Sequence, residues 1–157
     1  AITETRKLSH ALVTPMVPDQ QITTAIEELT KSLWLSGKMK LDLKFTGKKY
    51  LNGLDDKCKL TVYRITQEQV NNIIKYSRAK NVLIHLEASG GEIQVKISDD
   101  GVGFDTSNKS AGIGFRNIAS RIKLYGGNMK IIAAPGEGCT LNVHIPLSQS
   151  TVLNDVV

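Results

Sequence analysis

Three groups of residues in this chain have the types and spacing to do chemistry. The first is Glu68, Asn72, Lys75 and Tyr76: a carboxylate, an amide, an ammonium and a phenol close together in the sequence. Spacings of three and four project all of them from one face of a helix. Oxygen ligands one turn apart can share a hard cation such as magnesium. The bland alternative is a solvated helix face. Against it, the other side of the same segment already supplies Val62, Ile65, Val70, Ile73 and Ile74 for a core.

The second group is Asp99-Asp100-Gly101-Val102-Gly103-Phe104, at the exit of a stretch in which Ile93, Val95 and Ile97 alternate with polar residues. Glycines there let the backbone take positive φ and come close to a ligand. A carboxylate at the strand end can accept a hydrogen bond from an exocyclic amino group. Alone, the segment reads as an ordinary Asp-Gly turn. It is a poor calcium loop, because the acidic residues do not alternate and no glutamate closes a twelve-residue loop. The third group is Gly112-Ile113-Gly114-Phe115, opening a helix whose free N–H groups attract phosphate oxygens. Asn117 stands where the last glycine of a dinucleotide fingerprint belongs, and no Gly-Lys-Ser/Thr of a phosphate loop follows.

The elements that must position these groups follow from periodicity. Residues 2–13 are helix-like and stop near Pro15 and Pro18. Asp19 offers an N-cap to a second helix over 20–36, striped with Ile22, Ile26, Leu29 and Leu33 and ended by Gly37. A strand at 41–45, a polar connection at 47–53 and a long helix over 55–77, capped by Asp55 or Asp56, come next. Strands around 82–87 and 93–98 flank a Gly90-Gly91 hairpin turn. A helix at 114–125, stopped by Gly126-Gly127, precedes strands at 129–133 and 140–145. This order predicts an α/β fold, an α+β two-layer sandwich with a mixed, largely antiparallel sheet and helices on one face. Residues 1–18 read as the end of a helix plus linker, 19–147 as the domain and 148–157 as a loose tail.

Composition narrows the classes. The 157 residues carry 41% hydrophobic and 22% charged side chains, enough for one domain with its own core. Cys58 and Cys139 are far apart with no metal-ligand spacing, which argues against zinc or a disulfide framework and fits a reducing cytosol. The net charge of +5 is spread along the chain without interleaved aromatics and by itself discriminates poorly between nucleotide, nucleic acid and neither; no nucleic-acid partner is expected. No stretch approaches the roughly 18 to 20 apolar residues of a membrane helix. The opening residues, Ala1 to Leu8, read as mid-helix without a cap, as in a fragment whose parent has room for a membrane segment upstream.

Taken together and in this order, Glu68-x-x-x-Asn72-x-x-Lys75-Tyr76, Asp99-x-Gly101-x-Gly103-Phe104 and Gly112-x-Gly114-Phe115 resemble the ATP-binding boxes of the GHKL ATPases, which include gyrase, MutL and the histidine kinases. The resemblance is closer to the histidine-kinase branch of nitrate-sensor-like and DesK-like proteins. Tyr63 to Glu68, Lys75 to Ala79, Ser98 to Asp105 and Gly138-Cys139-Thr140 carry it. It spans about residues 20–147 and implies a Bergerat-type ATP-binding fold.

By that resemblance Asp99 receives the adenine amino group, and Thr140 assists through a shared water. Asn72 is the magnesium ligand, Lys75 a phosphate neighbour, and Tyr76 lines the adenine pocket. Gly101 and Gly103 keep the pocket floor open, while Gly112 and Gly114 bring N–H groups to the phosphates. Residues 105–111 form a short ATP lid in which Lys109 can reach a phosphate. Glu68 stays open between two roles, orienting water as in the hydrolysing relatives or sitting in the magnesium shell as in the kinases. Tyr76, Phe115 and Cys139 depart from the histidine, leucine and threonine or serine usual in this branch.

The resemblance further implies transfer of the ATP γ-phosphoryl to a histidine and onward to a response regulator. His85 and His144 sit on strands, and His10 lacks the acidic neighbour of the family's acceptor motif, so the acceptor is expected outside this chain. Expected partners are the kinase's own dimerisation helices, a response regulator and a second copy of the full-length protein. The domain is expected in the cytoplasm, with an inner-membrane anchor of the parent left open. Two other readings share the nucleotide boxes: a non-catalytic nucleotide-binding regulatory module and an anti-sigma-factor-type serine kinase.

Overall fold

Alternating segments pair here as their periodicity requires. The computed structural model describes residues 19–107 and 113–148. The strands are β1 (Lys40–Thr46), β2 (Asn81–Ala88), β3 (Glu92–Asp99), β4 (Asn128–Ala133) and β5 (Cys139–Pro146). They form one sheet in the order β1-β2-β3-β5-β4, parallel between β1 and β2 and antiparallel elsewhere. Leu43, Ile84, Ile97, Leu141 and Ile131 stand side by side across it. Of that row Ile84, Ile97 and Leu141 are wholly buried, and each contributes on the order of 1.5–3 kcal/mol by leaving water.

Among the described residues four helices cover that apolar face: α1 (Ile22–Leu35), α2 (Lys48–Asn52), α3 (Asp56–Asn72) and α4 (Ile113–Lys123). Ile22, Ile26, Leu29 and Leu33 of α1, and Cys58, Val62, Ile65 and Val70 of α3, join the strand residues in one core. The other sheet face is polar, with His85 bonded to Thr46 at 2.8 Å and His144 to Glu92 at 2.7 Å. The expected two-layer arrangement and mixed, largely antiparallel sheet are therefore present. Among the described residues no helix is long and apolar enough to cross a membrane.

Local details differ from the periodicity reading in three places. Asp19 does not cap α1. It adopts φ 66, Gln21 takes the N-cap position without a side-chain bond, and Asn52 of α2 accepts from the Thr23 N–H at 3.3 Å instead. The cap thus comes from a distant residue, which no local pattern encodes. The polar connection contains α2, held by Leu51, which is fully buried. The long helix is α-helical only to Asn72, after which Ile73–Ser77 form a π-helical turn that ends at left-handed Arg78. Its N-terminus is capped by Asp55, whose Oδ1 accepts from Cys58 N at 2.7 Å. Residues 1–18 and 149–157, read as linker helix and tail, lie outside the described residues.

Candidate functional site

Two residues along each strand from the Ile84–Ile97–Leu141 row, the next row reads Leu41, Val82, Asp99, Cys139 and Ala133. Asp99 therefore puts a carboxylate where the alternation calls for an apolar side chain. It is only 7% exposed, and burial, helped by the Asp100 charge, pushes its carboxyl above the ordinary range. The Gly101 N–H, donating to Asp99 Oδ1 at 2.9 Å, works against that rise. Asp100 points the other way along the chain's alternation. Its Oδ1 accepts the Lys80 and Asn81 backbone N–H groups at 2.8 Å each, its Oδ2 accepts Asn81 Nδ2 at 2.7 Å, and these bonds, Asn81 foremost, hold its carboxyl low. One aspartate is spent on structure and its neighbour is presented to a cavity.

That cavity is a cleft of about 650 Å³ between the ends of β3 and β5, the α3–π-turn segment and the start of α4. Its volume is in the range of small-molecule sites. Glu68, Asn72, Lys75 and Tyr76, from α3 and the π turn, line it together with Asp99 and Cys139 from the strand ends and with Gly103 and Gly114. The π turn belongs to this lining, as such turns often do at functional sites. It brings Ile73, which helical spacing assigned to the core side, to the cleft as well. Gly101 is not in the lining; it lies behind, where the Val102 N–H donates to the Ser77 carbonyl at 2.7 Å. A Cβ on Gly101 would overlap that carbonyl oxygen, so only glycine lets the β3 exit pack on the π turn. Phe104 and Phe115, from the β3 exit and the start of α4, stack with ring centroids 5.8 Å apart.

Thr140 is not where the resemblance put it. It pairs with Ser98, its hydroxyl 2.7 Å from Ser98 Oγ, while Asp99 pairs with Cys139. A step of one residue along a strand changes face, so Thr140 lies on the far side of the sheet from the Asp99 carboxylate. Cys139 takes the position beside Asp99. The parity was available in the sequence: Leu141, Val143 and Ile145 face the core, and 139 shares their face. Cys139 is buried, and burial first, then the Asp99 charge, raise its thiol to about 11. Gln69 was missed altogether. It is buried to 2% exposure and lines the cleft, yet no sequence signal separates it from the polar residues around it. Lys109 and Gly112 lie outside the described residues.

The family model of histidine kinase-, DNA gyrase B- and HSP90-like ATPases matches residues 59–149, a span that holds the whole cleft. The chain belongs to this ATPase family. It is similar to the sensor histidine kinase MctS of Rhizobium johnstonii, at 28% identity over 98% of this chain and 34% of that protein. The sensor histidine kinase ComP of Bacillus subtilis is likewise 28% identical, over 93% of this chain and 19% of that protein. The chain thus spans about a third or less of the curated relatives it matches. In fold it resembles the histidine kinase domain of a blue-light activated histidine kinase from Erythrobacter litoralis EL346, with a TM-score of 0.59, 15% identity and coverage of 93% of this chain and 70% of that one. As an ATPase-family domain this chain binds ATP, and the cleft is the cavity that the family's motifs surround.

Proposed function

We propose that this domain is the ATP-binding catalytic part of a sensor histidine kinase, passing the ATP γ-phosphoryl to a histidine outside this chain and from there to a response regulator aspartate. The observation that carries the reading is that Glu68, Asn72, Lys75 and Tyr76 line one cleft together with the buried Asp99. In this reading Asp99 accepts the adenine amino group, a charge-assisted bond worth about 1.5–3 kcal/mol. Exposed Tyr76 and Val102 cover the base, Lys75 attracts the phosphates, and the N–H groups around Gly112 and Gly114 receive phosphate oxygens.

The donor set suits magnesium held through a nucleotide. Glu68 and Asn72 offer a carboxylate and an amide one turn apart on the cleft wall. Among the described residues no group of three or more acidic, histidine or cysteine side chains forms a cage of its own. Magnesium commonly keeps its waters and binds through one or two protein oxygens plus phosphates. Its chemistry when bound is neutralisation of phosphate charge, while Asn72 and Glu68 orient the phosphate end. Lys109, by the family resemblance, supplies a further cation to the phosphates. Dimerisation helices, the response regulator and a homodimer complete the proposed kinase, with this domain in the cytoplasm.

Calorimetry with magnesium-ADP, followed by incubation with radiolabelled ATP, tests this. The chain should bind the nucleotide, Asn72→Ala should weaken binding, and no stable phosphoprotein should form until the kinase's own acceptor helices are added. Failure to bind ADP, or phosphate mapped to His10 of this chain alone, would overturn it.

A further inference from the structure

In the lining of the cleft, Gln69 has a carboxamide with one end engaged and the other idle. The residue is only 2% exposed, and it lines the cleft, as Cys139 and Asp99 do. Nε2 donates to Cys139 Sγ at 3.9 Å, and Oε1 has no hydrogen-bond partner. A buried carbonyl left unpaired is costly, and such atoms call for a ligand or a water. Sulfur is a weak hydrogen-bonding group. Cys139 can therefore fix the direction of the carboxamide but cannot substitute for a hydroxyl in reading a base.

We propose that Gln69 is a second base-reading residue, its Oε1 accepting one hydrogen of the nucleobase amino group while Asp99 accepts the other. The inference rests on the adenine-nucleotide reading of the cleft and adds the group that sharpens it. An exocyclic –NH2 has two hydrogens and satisfies two acceptors. A carbonyl at the same place on the base would turn lone pairs toward both Asp99 and Gln69. The pocket thus rejects six-oxo purines twice, once through each acceptor. It achieves this without a hydroxyl on β5 at the cleft, where Cys139 stands.

The test compares ATP with ITP, which carries a carbonyl in place of the amino group, by calorimetry on the wild-type domain and on Gln69→Leu, a substitution of similar volume. Gln69→Leu should bind ATP about five- to tenfold more weakly, the scale of one hydrogen bond. ITP should lose less, so the ITP/ATP ratio of dissociation constants narrows. Equal weakening of both nucleotides assigns Gln69 a purely structural role and overturns the proposal, as does unchanged ATP affinity; the nucleotide reading survives both. Wild-type protein that binds neither nucleotide removes that reading itself and this inference with it. Should Gln69→Leu fail to fold, the Gln69 side-chain amide resonances of the wild type decide: ADP should shift them, and signals unmoved by saturating ADP overturn the proposal.

Discussion

Gly114 rests directly on the carboxylate of Glu68. A Cβ built on Gly114 would overlap Glu68 Oε1 and lie 3.0 Å from its Cδ. The start of α4 and the polar side of α3 thus touch at a point where only a hydrogen on Cα fits, in the lining of the cleft.

Gly114→Ala should therefore disturb function more than folding. Alanine favours a helix over glycine by up to about 1 kcal/mol, and the colliding atoms are the far end of a flexible side chain. Thermal unfolding should stay close to wild type. Nucleotide affinity, by contrast, should fall about tenfold as Glu68 is pushed from its place, equal to roughly 1.4 kcal/mol. In a Glu68→Ala background the added methyl has room, so the same substitution should cost much less. Additive losses in the double-mutant cycle would contradict the contact's importance.

Asp99→Asn should abolish nucleotide binding while leaving the unliganded domain as stable as, or more stable than, wild type at neutral pH. The sign follows from the raised carboxyl of Asp99. A folded-state pKa above the unfolded value means that stability is fully present below the unfolded pKa, near 3.9, and is lost as pH rises through the folded one. Asparagine never ionises, so the variant's advantage in melting temperature should shrink as the pH is lowered toward 4. Nucleotide affinity of the wild type should fall over the same interval, as the accepting carboxylate is protonated. A variant that melts far below wild type at pH 7 would contradict this assignment.

Thr140→Val separates the two faces of the sheet. Removing the hydroxyl breaks its 2.7 Å bond to Ser98 and should cost about 1 kcal/mol in urea unfolding. ADP affinity should change by less than about twofold, since that hydroxyl is remote from the cleft. Loss of ADP binding in this variant would restore Thr140 to the nucleotide site and refute the face assignment.

Asp55→Ala tests the start of the helix that carries this polar side. The lost bond from Cys58 N should lower stability by about 1 kcal/mol, within the usual range for an N-cap. The cleft residues are more than two turns further along α3, so ADP affinity measured well below the melting temperature should be unchanged.

Much of the domain was readable in one dimension. Alternation located all five strands to within a residue or two, and the stripe Ile22, Ile26, Leu29, Leu33 identified the buried face of α1. Glu68, Asn72, Lys75, Tyr76, Asp99, Gly103 and Gly114 were expected at one site, and all of them border one cleft. Other expectations did not hold, Asp19 and Thr140 among them. Asp19 had the chemistry of a cap but not the backbone, because Asn52 already serves the first turn of α1. Thr140 was placed by motif alone, against the strand parity that the neighbouring residues already contained.

Residue type, order and local period are properties of the chain by itself, and they determined the helices, the strands, the nucleotide motifs and the family resemblance. Tertiary structure decided which groups are left without partners, because that depends on every element packed nearby. It turned the last residues of the long helix into a π turn locked by Val102 on Ser77. It engaged Asp100 with Asn81 and left Asp99 facing the cleft. It also enclosed Gln69 with an unpaired oxygen beside Cys139. Spacing along a chain says which side chains can meet; only packing removes the water and makes an unanswered hydrogen bond costly enough to select a ligand.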